Sequence, residues 1–431
     1  MKAIGIDIGT TSICLVLYEQ KNNEILECIS IDNHFLKDTF RQDADAIVKA
    51  VTEQLDILEK KYIEIDTIGI STQMHGILYI DSQGNAVSPF YTWKEECGNH
   101  LYEGIEASEW ISKKTGYAMY TGYGTVTHFV MGKEGKIPSM AVKFIDIGDY
   151  LAMKLCHLQK AEINQSLAAS FGGFDMKTGN FDVEALRETE IDIEYFPDIV
   201  KDEEIYGWFH HIPVWHAIGD NQASFYAVAG EDEEVISINV GTGSQVSISD
   251  SQLTALQIGE IRPFVGQKNL YVQTSINGGK VYEKLADYFK EIIFEFTGEN
   301  IDVYEKMMQI GLQKDKTDLI IVPSLYGARG KKNNYGFIKN ITEFNFHPGD
   351  FIRAYVSGMA QELFDLYSNF PEFLRKKRTR IVASGNGMRK NKLLVQELEQ
   401  KFDMKVEFKE WKEEAATGAA MIAVKYLDSM N

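Results

Sequence analysis

From Ile4 to Ile8 the chain alternates apolar with small or acidic positions, Ile4-Gly5-Ile6-Asp7-Ile8. It breaks at Gly9-Thr10-Thr11-Ser12 and resumes a β-type run from Ile13 to Tyr18. Period-two alternation on both sides of a break rich in Gly and hydroxyls predicts a β-hairpin. Such a turn offers backbone N–H groups and hydroxyls to an anion at close range, because Gly9 has no Cβ. Asp7, at the strand end, can reach a cation carried by that anion. The same residues also suit an ordinary hairpin with Thr and Ser in its turn.

The pattern returns near the middle of the chain, at Ile236-Ser237-Ile238-Asn239-Val240-Gly241-Thr242-Gly243-Ser244. Five of the nine aligned positions are identical and two more are conservative. Two copies predict two lobes, residues 1–232 and 233–431, each opening on a phosphate-facing hairpin.

Elsewhere the periodicities alternate between helix and strand, as in a mixed α/β chain. Ile47, Val48, Val51, Leu55 and Leu58 share one face of a helix over residues 44–60. Thr67–Ser71 and Ile77–Ile80 read as short strands, the second closed by the Asp81–Asn85 turn. Residues 119–136, with four glycines, read as irregular. Ile147–Leu151 opens a helix, and Ala223–Val228 forms another, close-packed through small residues, with Asp220 as its N-cap. In the second half, helices are expected over Val281–Phe296 and Phe351–Tyr367, and strands over Leu319–Pro323, Arg380–Ala383 and Val406–Phe408. The Gly327-Ala328-Arg329-Gly330 segment reads as a loop. A helix runs to Phe402, and a last, small-residue helix begins at Glu413. The basic run Arg375–Arg378 reads as a solvated helix end.

The chain has 431 residues, 44% hydrophobic and 25% charged, an ordinary globular composition with room for two domains. A net charge of −19 speaks against nucleic acid or an anionic membrane as partner. Bound phosphate must then be held by local amides, hydroxyls and Mg²⁺. Cys14, Cys28, Cys97 and Cys156 lack paired spacing and read as reduced thiols of a cytoplasmic protein. Met1 leads straight into a strand, and no apolar run is of membrane-spanning length.

Polar residues cluster where strands end. Gln73-Met74-His75-Gly76 follows one strand and can point into a cleft, although a lone His also serves as a satisfied core residue. Gly219-Asp220-Asn221 stands at the junction of the halves. A carboxylate at a helix start stays ionised, which suits a general base as well as a cap. Gly385-Asn386-Gly387 lies in a strand–turn–helix whose N-terminal amides can face a nucleotide.

Taken in order, Asp7 to Thr11, Gln73 to Gly76, Gly219 to Asn221, Gly241 to Ser244, Gly385 to Gly387 and the small-residue last helix resemble the FGGY carbohydrate kinases over nearly the whole chain. The resemblance implies two actin-like, ribonuclease-H-type lobes of α/β fold with an ATP cleft between them. Its Gln-Met-His-Gly form is that of xylulokinase-like and sedoheptulokinase-like members. Residues 124–129, 384–391 and 413–420 look more like the sedoheptulokinases. The implied reaction transfers the γ-phosphate of ATP to the terminal hydroxyl of a ketose. In that reading Gly9, Thr10, Thr11, Ser12, Gly241, Thr242, Gly243 and Ser244 hold phosphates, and Gly385, Asn386 and Gly387 lie beside the adenosine. Asp7 orients Mg²⁺, and Asp220 is the base. Gln73, Met74, His75, Trp93, Asp220 and Asn221 line a pocket for a small-molecule sugar. A homodimer is compatible with this reading, which does not fix the oligomeric state.

Two departures stand out. Trp93 is followed by Lys94-Glu95-Glu96 rather than the Asn-Asp-Gly-Arg type segment of xylulokinases, and His128 stands where the family's first signature carries Lys. Xylulose or another ketose or polyol is therefore the alternative to sedoheptulose. A non-catalytic nucleotide and sugar sensor on the same fold would not need Asp7 and Asp220 together. An actin-like assembling protein would lack the Gln73–Gly76 and Asp220 set.

Overall fold

The computed structural model describes residues 1–33, 36, 39–201, 203–327, 335–411 and 413–430. The predicted loop at Gly327–Gly330 falls largely outside the described residues. Two compact units result. The first comprises Met1–Gly230, Arg262–Gln267 and Trp411–Asn431; the second comprises Glu231–Ile261 and Lys268–Glu410.

The predicted hairpin forms. Strand β1 (Lys2–Ile8) pairs antiparallel with β2 (Ser12–Glu19), from Lys2 opposite Glu19 to Ile8 opposite Ile13. β2 continues antiparallel to β3 (Glu24–Asp32). On its other side β1 runs parallel to β4 (Thr67–Thr72), which neighbours β5 (Ile212–Trp215), also parallel. Ile4, Ile6 and Ile8 face a large apolar core. Ala3, Cys14, Val16 and Tyr18 on the opposite face pack against Ala416, Ala420 and Val424 of the C-terminal helix Glu414–Met430. Burial on both faces is the rule where parallel strands are covered by helices, and it explains the small residues between the isoleucines. A Cβ on Gly69 would lie 2.0 Å from the carbonyl oxygen of Ala419. One on Gly418 would lie 1.8 Å from that of Ala223 in the helix Asp220–Ala229. The C-terminal helix thus meets this sheet and helix backbone to backbone.

The helix Ala44–Lys61 buries Ile47, Val51, Leu55 and Leu58 as the periodicity predicts, and Asp43 caps it by accepting from Ala46 N. Residues 119–136 differ from expectation. Gly124–Lys133 is a helix, and every side from Gly124 to Met131 is buried. With no solvent face it shows no amphipathic stripe, so its period is invisible in the sequence.

The second unit repeats the order. β6 (Val235–Val240) and β7 (Ser244–Asp250) form the second hairpin, and β8 (Lys268–Ser275) extends it antiparallel. β9 (Arg380–Ser384) runs parallel to β6, and β10 (Val406–Phe408) runs parallel to β9. In both sheets these five strands stand in the order third, second, first, fourth, fifth, with the parallel pair beside the hairpin; Ile205–Phe209 and Ile218–Gly219 complete the first sheet, and Glu260–Phe264 adds to the second beyond β8.

The basic run is a solvated helix end only in part: Arg375 ends the helix Glu372–Arg375 and Lys376 is exposed, but the last two residues are paired. Arg378 is buried and donates to Ser249 O (2.9 Å) and Asp250 Oδ2 (3.3 Å), while Lys377 Nζ reaches Asp250 Oδ2 at 2.8 Å. Asp250 is fully buried at the end of β7, and a carboxylate there demands paired charge.

Candidate functional site

In the first unit the turn between β1 and β2 is braced from below. Gly9 N donates to Ser12 O at 3.0 Å. Asn33 Nδ2 donates to Gly9 O at 2.6 Å, and Gln42 Nε2 donates to Thr10 O at 2.9 Å. Gln73, buried, donates through Nε2 to Gln42 Oε1 (2.9 Å) and Gly9 O (3.3 Å). Trp93 Nε1 donates to Thr10 Oγ1 at 2.9 Å while the indole stays 45% exposed. The backbone of the turn is thus held from the protein side, and Thr11 is exposed.

His75, three residues past β4, has φ of 77°, a left-handed conformation costly for any residue with a Cβ. It is held by Ser170, whose Oγ accepts from His75 N at 3.0 Å and whose carbonyl lies 2.6 Å from Nδ1, so Nδ1 carries a proton there. Its ring stacks on Tyr123 at 4.3 Å between centroids. Met74 is buried, with Arg262 Nη1 at 3.6 Å from its sulfur.

Asp220 differs from the predicted cap. Gly219 holds the N-cap position, and Asp220 is the first residue of the helix Asp220–Ala229. Its Oδ1 accepts from Asn221 N (2.7 Å) and lies 3.4 Å from Asn221 Nδ2. A carboxylate one position inside the helix cannot reach back to cap it but still meets its positive end. Asp7 Oδ1 accepts from Ser71 Oγ at 2.7 Å. Neither Asp7 Oδ2 nor Asp220 Oδ2 has a hydrogen-bond partner among the described residues.

The charge of Asp220 acts on Asp7. Burial, then the charge of Asp220, pushes Asp7 up to about 7, with Glu413 adding to the rise and Ser71 opposing it. Burial raises Asp220 as well, against Asn221 and the positive charge of Arg262. Both acids are enclosed by protein yet keep part of their surface open to solvent. Two half-buried carboxylates, the charge of Asp220 raising Asp7, with an oxygen of each unpaired among the described residues, are a donor set suited to a hard divalent cation.

In the second unit, Gly243 and Gly278 lie in close contact, and Gly279 N donates to Gly241 O at 2.7 Å. Ser244 Oγ donates to Asn277 O at 2.9 Å. Thr242 is exposed. Gly241 does not use a positive φ, and a Cβ there would meet nothing closer than Asn239 Oδ1 at 3.7 Å, so the space above it is open to an anion. Gly385 has φ of 83° and turns the chain into the short helix Asn386–Arg389. Cβ atoms on Gly385 and Gly387 would strike Val240 O at 2.5 and 2.7 Å, so these glycines let the turn lie across the end of β6.

Arg262, Tyr123, Gln42 and Ser170 also belong to the site, and the sequence alone does not point to them. For Tyr123 the one signal is the flanking Gly122 and Gly124. Arg262 had none, because its neighbours Met74 and Asp220 are remote in the chain.

Residues 2–231 match the N-terminal domain, and residues 240–426 the C-terminal domain, of the FGGY family of carbohydrate kinases. The chain is 26% identical to a sedoheptulokinase of Mus musculus over 98% of this chain and 97% of that one. It is 24% identical to a gluconokinase of Bacillus subtilis over 98% of this chain and 86% of that one. Among solved structures, a gluconate kinase from Lactobacillus acidophilus superposes with a TM-score of 0.84 at 21% identity, covering 100% of this chain and 90% of that one.

Proposed function

The chain belongs to the FGGY family of carbohydrate kinases and is an ATP-dependent sugar kinase, and from that premise we propose that it phosphorylates sedoheptulose on its terminal primary hydroxyl to give sedoheptulose 7-phosphate. The observation that carries the catalytic part is the electrostatic coupling of Asp7 and Asp220, each with an oxygen left open.

Phosphoryl transfer proceeds through a loose transition state, so catalysis rests on positioning and charge stabilisation. Asp220 Oδ2 accepts the proton of the sugar hydroxyl as the hydroxyl oxygen attacks the γ-phosphorus, the bond from that phosphorus to the β–γ bridging oxygen breaks, and ADP leaves. Asn221 and Arg262 keep that carboxylate ionised and oriented. His75, Trp93 and Asn221 form the sugar-facing wall, with Gln73 and Met74 behind it. Thr10, Thr11 and Ser12 with Gly9, and Thr242 and Ser244 with Gly241 and Gly243, hold phosphates. Gly385, Asn386 and Gly387 lie beside the adenosine. Asp7 would hold Mg²⁺, which when bound neutralises charge on the β- and γ-phosphate oxygens. The four cysteines show no paired spacing along the sequence, which supports a reducing, cytoplasmic setting.

The seven-carbon ketose is supported by the end-to-end similarity to a sedoheptulokinase and by the changed segment after Trp93. Glu95 there pairs with Arg41 at 2.9 Å, and Lys94 lies 5.4 Å from the Trp93 ring centroid. The test is kcat/KM for sedoheptulose, xylulose, ribulose, fructose and gluconate side by side. Sedoheptulose is expected to lead. A value for xylulose or gluconate tenfold or more above it overturns the substrate while leaving the kinase intact.

A further inference from the structure

The helix Gln165–Phe171 touches two parts of the first unit's site at once. Asn164 caps it, accepting from Ser166 N at 2.7 Å. Ser166 Oγ accepts from Gly219 N at 3.2 Å, and Gly219 directly precedes Asp220. One turn later, Ser170 Oγ accepts from His75 N at 3.0 Å and donates to Leu167 O at 2.7 Å. Both serines are buried. The i and i+4 positions of a helix share a face about one turn apart, so the two hydroxyls stand at a fixed spacing.

The segment on the Asp220 side is clamped a second time. Asp149 Oδ1 accepts from Ala217 N at 2.9 Å and lies 3.3 Å from His216 Nδ1. Asp149 also faces the backbone of Asn164. Its neighbour Asp146 accepts from Gly148 N (2.7 Å) and Asp149 N (2.9 Å). Residues 217–219 therefore hang between Asp149 and Ser166, while His75, which has no low-energy reason to sit at φ of 77°, is held by Ser170.

We propose that the helix Gln165–Phe171 is a positioning element for phosphoryl transfer: Ser166 fixes the strand end that delivers Asp220, Ser170 fixes His75, and the turn between them sets the spacing of base and sugar-facing imidazole. The inference rests on the roles given to Asp220 and His75 above. Neither serine touches substrate; each acts through one hydrogen bond, and the two bonds serve different kinetic terms. Misplacing the base costs kcat, and misplacing a sugar contact costs sugar KM.

The experiment compares Ser166→Ala and Ser170→Ala with the parent for kcat, sugar KM and ATP KM, using the best sugar of the panel, with Asp220→Asn measured alongside. Ser166→Ala is expected to lower kcat about tenfold with sugar KM within twofold. Ser170→Ala is expected to raise sugar KM about tenfold with ATP KM within twofold. Should an alanine variant not fold, the cysteine variant at that position, nearly equal in volume and a weak acceptor, is held to the same criteria. Both variants within twofold of the parent in every parameter overturns the proposal. So does an equal loss in all parameters for both, the mark of a merely structural role. If Asp220→Asn keeps more than a tenth of parental kcat, the base assignment falls instead.

Discussion

Ser71 Oγ donates to Asp7 Oδ1 across 2.7 Å, between residues directly paired in the parallel strands β4 and β1. The second unit contains the same pairing with one change. Asn239 Nδ2 donates to Ser384 Oγ at 2.7 Å, again between directly paired residues of parallel strands. The duplication therefore extends beyond the nine-residue repeat to a serine on the fourth strand of each sheet. In the first unit the serine meets an acid that can bind a cation; in the second it meets a neutral amide.

This asymmetry predicts where Mg²⁺ dependence resides. Asp7→Asn keeps the shape of the strand end and an acceptor for Ser71 but loses the charge. It should raise the Mg²⁺ concentration needed for half-maximal rate by tenfold or more, with sugar KM within threefold. Asn239→Ala should leave the Mg²⁺ requirement unchanged. Titrating the rate with Mg²⁺ at saturating ATP and sugar checks both, and an unchanged Mg²⁺ midpoint in Asp7→Asn contradicts the assignment.

Gly241→Val tests the second turn without threatening the fold. No positive φ is required there, and a Cβ meets only Asn239 Oδ1 at 3.7 Å. The variant should unfold within a few degrees of the parent yet raise ATP KM tenfold or more, because the branched side chain fills the space a phosphate needs. A variant with parental ATP KM would remove this turn from the phosphate site.

His128 gives a pH signature. Its Nε2 lies 3.1 Å from the Asp192 carbonyl and its Nδ1 2.9 Å from Tyr79 OH, so Nε2–H donates and Nδ1 accepts in the neutral ring. Burial pushes its pKa down to about 4. The unfolded chain, with an ordinary His near pH 6.5, binds the proton first. The neutral ring's contribution is therefore fully present above about pH 6.5 and is lost as pH falls toward 4. Asp7 and Asp149, both raised to about 7, change stability in the opposite sense, so the difference from a variant is the clean quantity. The stability difference between the parent and His128→Gln should shift by roughly 2 kcal/mol against the parent between pH 7.5 and 5. A pH-independent difference in urea unfolding would contradict it.

The hairpins, the helix Ala44–Lys61 and the strand–turn–helix at Gly385 were legible because their side chains alternate between core and another environment. Gly124–Lys133 was not, since a helix buried on all sides carries no stripe. Arg378 was misread because its partner Asp250 lies more than a hundred residues away. At the site, the polar residues near Asp7, His75 and Asp220 were visible, but what holds them was not. Ser166, Ser170 and Arg262 act through contacts that only the folded chain creates.

The most direct test of the account is the single-turnover rate of Asp220→Asn with saturating ATP, Mg²⁺ and sugar, together with calorimetric sugar binding. Removing a general base costs roughly 10²–10⁴ in rate, and the near-isosteric amide preserves the pocket. The expected result is a fall of at least about a hundredfold in phosphoryl transfer with sugar affinity within about threefold of the parent. A variant that binds sugar normally and retains more than a tenth of the parental rate would contradict it.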